Sequence, residues 1–504
     1  MRLGLGIDTG GTYTDSVIYD FEENMVLARA KDLTTKGNLL EGIKNSMEKL
    51  PEHYFKDIIL VALSTTLATN ACVEGKGSRG KLVLLGYDED ILKKLGKNYG
   101  LPDREDIILI PGKHGQKGEV VEEPDWDLLQ RLVLDQKANV DAFGVAEYWG
   151  VRNPDFEKKA KELIRLWTNL PVVSAHELSG EINSLRRAST TLLNARLISL
   201  TKDLLEAVKT CLAEKAIHAP LMIVRGDGTL MSEDFARERP VETLLSGPAA
   251  SVIGGMKLSG LKDCLVLDIG GTTSDLAVVR GGMVNLAVEG VDVGGWRTGT
   301  QAIEIKTIGL GGDSLISFDK HEKITIGPRR AVPLSWLGMK WSQVREELEA
   351  IYREDKWHTL SLGEFFVLLS DPSRYPDLSA EEKKIVEVLS QSPRSIEKLA
   401  EAVHTRPYFL ETERLEFLGI IGRAALTPTD IMHITGEFRE WDVESAMLGA
   451  RILAQRLGLT VGTLIETVKA NIEKKLFVLI AQHLLKKQWK KAFKEGSKEL
   501  QTIL

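Results

Sequence analysis

The stretches GIDTGGTYTDSVI, Gly6 to Ile18, and VLDIGGTTSDLAVV, Val266 to Val279, are one pattern written twice. Each runs from an apolar segment into Asp-x-Gly-Gly-Thr-x-x-Asp and leaves through a second apolar segment. Leu3 to Ile7 and Leu265 to Leu267 read as buried strands, with Val17 to Tyr19 and Leu276 to Val279 as their antiparallel returns, so each copy predicts a β-hairpin. The tips carry Asp8, Gly10, Gly11, Thr12 and Asp15 in the first copy, and Asp268, Gly270, Gly271, Thr272 and Asp275 in the second. Glycines without a Cβ let backbone N–H groups close on an anion, and threonine hydroxyls add donors. Carboxylates beside such a loop do not bind phosphate directly; they suit a hard cation such as Mg²⁺ lying between them and the phosphates. Two facing loops predict a clamp on a polyphosphate. A single copy reads equally well as a tight turn that uses Gly and Asp for conformation, and it is the repetition in register that favours the phosphate reading. No Gly-Lys-Ser/Thr follows, which excludes a Walker A loop, and each loop leads into a strand instead of a helix, which excludes a dinucleotide fingerprint.

Composition sets the frame around this repeat. The 504 residues suffice for two or more domains with separate cores. With 43% hydrophobic and 27% charged residues and a net charge of −7, the chain reads as a soluble, mildly acidic protein without the basic excess a nucleic-acid surface needs. No apolar run reaches membrane-span length, so no membrane partner is expected. The N-terminal stretch MRLGLGIDTGG shows no leader pattern. Cys72, Cys211 and Cys264 have no paired spacing and suit a reducing compartment, so a cytoplasmic location is expected.

A third glycine cluster, KTIGLGGDSLI from Lys306 to Ile316, places Gly309, Gly311 and Gly312 before an apolar stretch, as a loop lying flat against a sugar or base would; alone, such glycine pairs are turns more often than ligand contacts. The order of the two phosphate loops and this segment resembles the actin, Hsp70 and sugar-kinase superfamily of ATPases. More narrowly, the chain resembles the hydantoinase/oxoprolinase family in its A-type, ATP-utilising subunit. GIDTGGTYTD at Gly6, STTLATNACVEGKG at Ser64, RRASTTLLNARL at Arg186, LLSGPAASVIGG at Leu244, LDIGGTTSDLAVV at Leu267 and KTIGLGGDSLI at Lys306 carry the likeness.

The resemblance implies an α/β fold of two ribonuclease-H-like domains closing over Mg-ATP. Asp8, Thr12, Thr14 and Asp15 would form the first phosphate site, and Asp268, Thr272, Thr273 and Asp275 the second. Asp8 and Asp268 would hold Mg²⁺ through water. The implied reaction is ATP-dependent opening of a cyclic amide such as a hydantoin or 5-oxoproline, by phosphoryl transfer to the amide oxygen, with a B-type partner subunit and an oligomeric assembly expected. A small-molecule kinase and an ATP-switched regulatory protein stay open as alternatives. Ser64, Thr65 and Thr66 read either as cleft hydroxyls or as a helix N-cap; the same two readings stand for Ser189 to Thr191, where the cap leads.

Two departures stand out. Glu304 and Lys306 occupy the positions of the family's Asp-x-His, and Asp313 replaces the third glycine of its glycine run. Lys306 reads as a cation for phosphate or carboxylate, or as a solvated strand residue. After about Pro328 the family pattern stops, and residues 378 to 434 suggest a winged-helix-like module whose core includes Ile385, Leu389, Leu399, Phe409, Leu415 and Ile421; its charge balance makes it a poor reader of DNA. The expected segments are 1–180, a first ribonuclease-H-like domain; 181–325, a second; 326–430, an insertion with the winged-helix-like module; and 431–504, helices completing the second domain. Lys486, Lys487, Lys490, Lys491 and Lys494 read as a solvated face or a docking surface for an acidic partner.

Overall fold

The computed structural model describes residues 1–10, 13–34, 39–73, 75, 77–287, 289–354, 360, 362–372 and 377–484. Gly11, Thr12 and the lysines from 486 to 494 lie outside these. The chain is mixed α/β and divides into two compact units, 1–266 with 277–304 and 267–276 with 305–504. The division does not fall near residue 180. The helix Ser184–Glu214 supplies core residues along its whole length to the first unit, and 277–304 returns to that unit as well.

In the first unit, β1 (Leu3–Thr9), β2 (Tyr13–Asp20), β3 (Met25–Leu33) and β4 (Ile58–Thr65) form a six-stranded sheet with Leu221–Val224 and Leu230–Ser232. β1 lies between antiparallel β2 and parallel β4. Leu3, Leu5 and Ile7 are therefore enclosed on one face, at 2% exposure or less, each contributing about 1.5–3 kcal/mol of burial. The register sets Asp8 opposite Asp15 on one side and Ser64 on the other.

A second, all-parallel sheet in this unit runs in the order Val172–Ser174, Ala142–Glu147, Gly80–Leu85, Ile107–Ile110. Its strands are nearly continuous apolar runs because both faces are covered. Leu82 and Leu84 meet the Ser184–Glu214 helix side, while Val83 and Leu85 meet Leu129 and Phe156. The long helix starts at Asn183, whose side chain accepts the Arg186 N–H at 3.1 Å.

Ser189, Thr190 and Thr191 lie inside that helix and do not cap it. Ser189 donates to the Tyr99 carbonyl, and Thr190 and Thr191 bond back to the Arg186 and Arg187 carbonyls. Pattern reading placed the helix start one turn and more too late, because Asn183 does not stand directly before the apolar repeat.

The second unit holds the tip of the second hairpin, with Lys306–Ile308 antiparallel to residues 274–276. It also holds the hairpin Ser314–Phe318 with Ile324–Arg330, a four-stranded sheet, and the helices Val443–Arg456 and Val461–Leu484. Helices Ala380–Gln391, Ile396–Ala402 and Glu413–Phe417 enclose Ile385, Val386, Leu389, Leu399 and Leu415 with Phe366 and Ile421 from the sheet. Phe409, expected in this core, is 71% exposed.

The strand Cys264–Ile269 also departs from expectation, with Leu265 40% and Ile269 54% exposed. Where β1 has strands on both edges, this strand has its returning partner on one edge and no other strand among the described residues.

Candidate phosphate-binding turns

The first turn closes by a hydrogen bond from the Gly10 N–H to the Tyr13 carbonyl at 2.9 Å. A Cβ on Gly10 would stand 2.9 Å from that same carbonyl, so the turn needs glycine there. Thr14 is fully buried in β2; its hydroxyl lies 3.0 Å from that of Thr34, which donates to the Gly10 carbonyl at 2.9 Å. Thr14 thus braces the turn from beneath. Asp15 pairs with Lys31 at 3.4 Å from the next strand.

Around Asp8 the motifs Ser64–Asn70 and Leu244–Gly255 meet. Ser64 donates its hydroxyl to Asp8 Oδ1 at 2.5 Å. The Thr66 N–H and hydroxyl both donate to the Thr9 carbonyl, at 3.0 and 3.2 Å. Ser246 accepts from the Thr65 N–H and donates to the Thr65 carbonyl. Of these hydroxyls Thr65 acts as a cap would, accepting from the Leu67 N–H at 3.1 Å, while Ser64 and Thr66 donate to Asp8 and to the Thr9 carbonyl.

Helix Ser246–Ser259 starts here, presenting the positive end of its dipole. Leu245 enters it with φ +60°, a left-handed conformation costing a non-glycine residue about 1–2 kcal/mol. Gly247 lies beside the carboxylate; a Cβ on it would stand 3.7 Å from Asp8 Oδ1 and 3.5 Å from Thr66. In the sequence Ser246 and Gly247 carry no signal of their own beyond the LLSGPAAS stretch that contains them.

The second turn repeats the first. The Gly270 N–H donates to the Thr273 carbonyl at 2.9 Å. Thr272 is exposed at the tip. Asp275 occupies the place of Asp15, and the cross-strand position held by Lys31 in the first copy is Thr307 here, whose hydroxyl donates to Asp275 at 2.5 Å. Burial raises the Asp275 carboxyl above the usual range, the Thr307 hydrogen bond opposes this, and the nearby Asp268 adds to the rise. Lys306 is exposed on its strand.

The third glycine cluster packs on this turn. The N–H groups of Gly312 and Asp313 donate to the carbonyls of Gly270 and Gly271 at 2.9 and 2.6 Å. A Cβ on Gly311 would meet those carbonyls at 2.6 and 2.5 Å, one on Gly312 would meet Thr429 Oγ1 at 2.7 Å, and one on Gly309 would meet Pro328 at 2.8 Å. Protein contacts therefore account for all three glycines.

Sequence reasoning also missed a buried ionic network in the first unit. Glu157 accepts from the Glu147 and His176 N–H groups at 2.9 and 2.7 Å, and its Oε1 lies 3.5 Å from Arg187. His114 Nδ1 lies 3.0 Å from both oxygens of Glu147. Arg187, Glu147 and Glu157 are fully buried. Nothing in their spacing signals this, since the partners come from separate strands and helices. Cys72 is buried, with its thiol pushed up to about 12 by burial, and is not poised as a nucleophile.

Family models extend the comparison beyond motifs. The hydantoinase/oxoprolinase N-terminal region matches residues 4–167, and the hydantoinase/oxoprolinase model matches 187–334, together more than half of the chain. The chain belongs to the hydantoinase/oxoprolinase family. It is 28% identical over 354 residues to caprolactamase subunit alpha of Pseudomonas jessenii, covering 65% of this chain and 50% of that one. Acetophenone carboxylase gamma subunit of Aromatoleum aromaticum is 27% identical over 369 residues, 65% of this chain and 49% of that one. The chain thus spans about half the length of these relatives. Among solved structures, nucleotide-free acetone carboxylase matches with a TM-score of 0.62 at 16% identity, over 98% of this chain and 64% of that one. ATP-dependent caprolactamase from Pseudomonas jessenii matches with 0.56 at 23% identity, over 90% and 68%. These two show the fold, and they reach well past the residues that the sequence relatives match.

Proposed function

We propose that the chain binds Mg-ATP through its two Asp-x-Gly-Gly-Thr turns and uses it to activate the carbonyl oxygen of a cyclic amide. The observation carrying this reading is the same closing hydrogen bond, 2.9 Å in both turns, each two residues after an aspartate. The surroundings of Asp8 suit the ligand: a carboxylate oriented by the Ser64 hydroxyl, beside a helix N-terminus, fits a hydrated cation and the anion it carries. Among the described residues no three His, Cys, Asp or Glu side chains converge as a metal cage. A cation would therefore rest on fewer than three protein carboxylates together with water and phosphate oxygens, and Asp8 and Asp268 are the residues assigned to it. The units bearing these turns are read as ribonuclease-H-like domains, and residues 378–434 as a winged-helix-like module used for protein contact.

When bound, ATP would supply the phosphoryl group that turns an amide oxygen into a leaving group. The chain's own part is to orient the phosphates with turn N–H groups and hydroxyls and to offset their charge. The likeness to caprolactamase subunit alpha supports a lactam substrate and a separately encoded partner subunit. A second reading, activation of a ketone for carboxylation, is favoured by the likeness to acetophenone carboxylase gamma subunit.

The Mg²⁺-dependent ATPase rate, measured with lactams, hydantoins and 5-oxoproline and then with ketones plus bicarbonate, tests both. Stimulation by a cyclic amide supports the first reading, and stimulation confined to ketones supports the second. ATP binding that no carbonyl compound stimulates, with or without the partner, counts against both.

A further inference from the structure

Asp313 stands on the lip of the second turn. Its N–H donates to the Gly271 carbonyl at 2.6 Å, and its own carbonyl accepts the Ala331 N–H at 2.8 Å, so the backbone fixes both Asp313 and the end of the Ile324–Arg330 strand against the turn. Its Oδ2 lies 2.9 Å from where a Cβ on Gly271 would stand. Arg330 places Nε at 3.2 Å and Nη2 at 3.0 Å from that same oxygen. The Asp313 side chain is 13% exposed and that of Arg330 39%, so the guanidinium lies on the solvent side of the pair. The preceding residue turns elsewhere: Arg329 pairs with Glu416, which also holds Arg423.

Resting on the reading that this turn takes phosphate, we infer that Arg330 is a phosphate-binding residue of the second turn and that Asp313 is the positioning residue that keeps it there. An incoming polyphosphate meets three carboxylates around one turn, Asp268, Asp275 and Asp313, and a cationic side chain beside them offsets charge that a metal ion at Asp268 does not. A guanidinium has five N–H donors, so it can stay on a carboxylate with one edge while it offers further N–H groups to phosphate oxygens, always charged. Burial holds the Asp313 carboxyl above the usual range, with Arg330 opposing the rise and Asp430 adding to it. The carboxylate thus depends on the arginine as much as it anchors it.

The test is equilibrium binding of Mg-ATP, Mg-ADP and AMP to the full chain by titration calorimetry, for wild type, R330Q, R330K, D313N and the D313N/R330Q pair, with circular dichroism as the folding control. R330Q is expected to weaken ATP binding about 10- to 100-fold with little change for AMP, and R330K to fall between R330Q and wild type. D313N is expected to shift ATP affinity several-fold when Arg330 is present and to leave it unchanged in the R330Q background. ATP binding by folded R330Q as tight as wild type overturns the inference while the nucleotide reading stands. Equal D313N effects in both backgrounds overturn the positioning role. Failure of the wild-type chain to bind any nucleotide overturns both readings.

Discussion

Ser64 donates its hydroxyl to Asp8 Oδ1 at 2.5 Å, joining the end of β4 to the first turn across 56 residues of chain. The bond fixes which oxygen of Asp8 faces the protein. Asp8→Ala and Asp268→Ala are each expected to lower the Mg-ATP turnover rate by at least about 10²-fold while the far-UV circular dichroism stays unchanged. Wild-type turnover in either variant would refute the role given to the two turns.

Gly311 and Gly254 make a matched pair of glycine tests. Gly311→Ala drives a Cβ into two carbonyls of the second turn, and should cost about 1–3 kcal/mol in denaturant melts together with nucleotide affinity. Gly254 lies within helix Ser246–Ser259 with nothing within 4 Å of its Cβ position, so Gly254→Ala should stabilise by up to about 1 kcal/mol. Equal effects in the two variants would contradict the packing described.

Asp275 carries a pH signature. Its carboxyl is raised in the folded chain, chiefly by burial, so its contribution to stability is fully present below the ordinary carboxyl range and is lost as pH rises through the raised value. Asp275→Asn should therefore be more stable than wild type at pH 7, with the gap closing as the medium is acidified. A gap independent of pH, read from urea midpoints, would show that burial of the charge is not its cause.

Arg187 tests the hidden network. Arg187→Ala leaves Glu157 buried without its cation, at an expected loss of about 3–5 kcal/mol of unfolding free energy. A loss below about 1 kcal/mol, the scale of a surface pair, would mean that the network is hydrated.

The two hairpins were legible because strand alternation and the Asp-x-Gly-Gly-Thr tip are local: residues within fifteen positions determine both, and Gly10 and Gly270 form the same turn. What surrounds the tips was not legible. Ser64, Ser246 and Gly247 reach Asp8 from distant segments, and only tertiary packing brings them together. The cluster at Gly309 to Gly312 shows why a glycine signal is ambiguous: a missing Cβ records a close approach without saying to what, and here the neighbour is the second turn's own backbone. The same limit applies to Leu265 and Ile269, apolar by pattern yet exposed, since a strand's sequence does not reveal whether the face it presents is covered.

The chain passes between its two compact units three times, after 266, after 276 and after 304. Val291, Val293, Trp296 and Ala302 belong to a core otherwise built from residues 68 to 244. On the ribosome that core stays incomplete until the tip of the second hairpin has already been made, so neither unit can be inherited, expressed or cut away as a simple half of the gene. The chain after 304 escapes this constraint, because by then the first unit is complete and only one remains to be built.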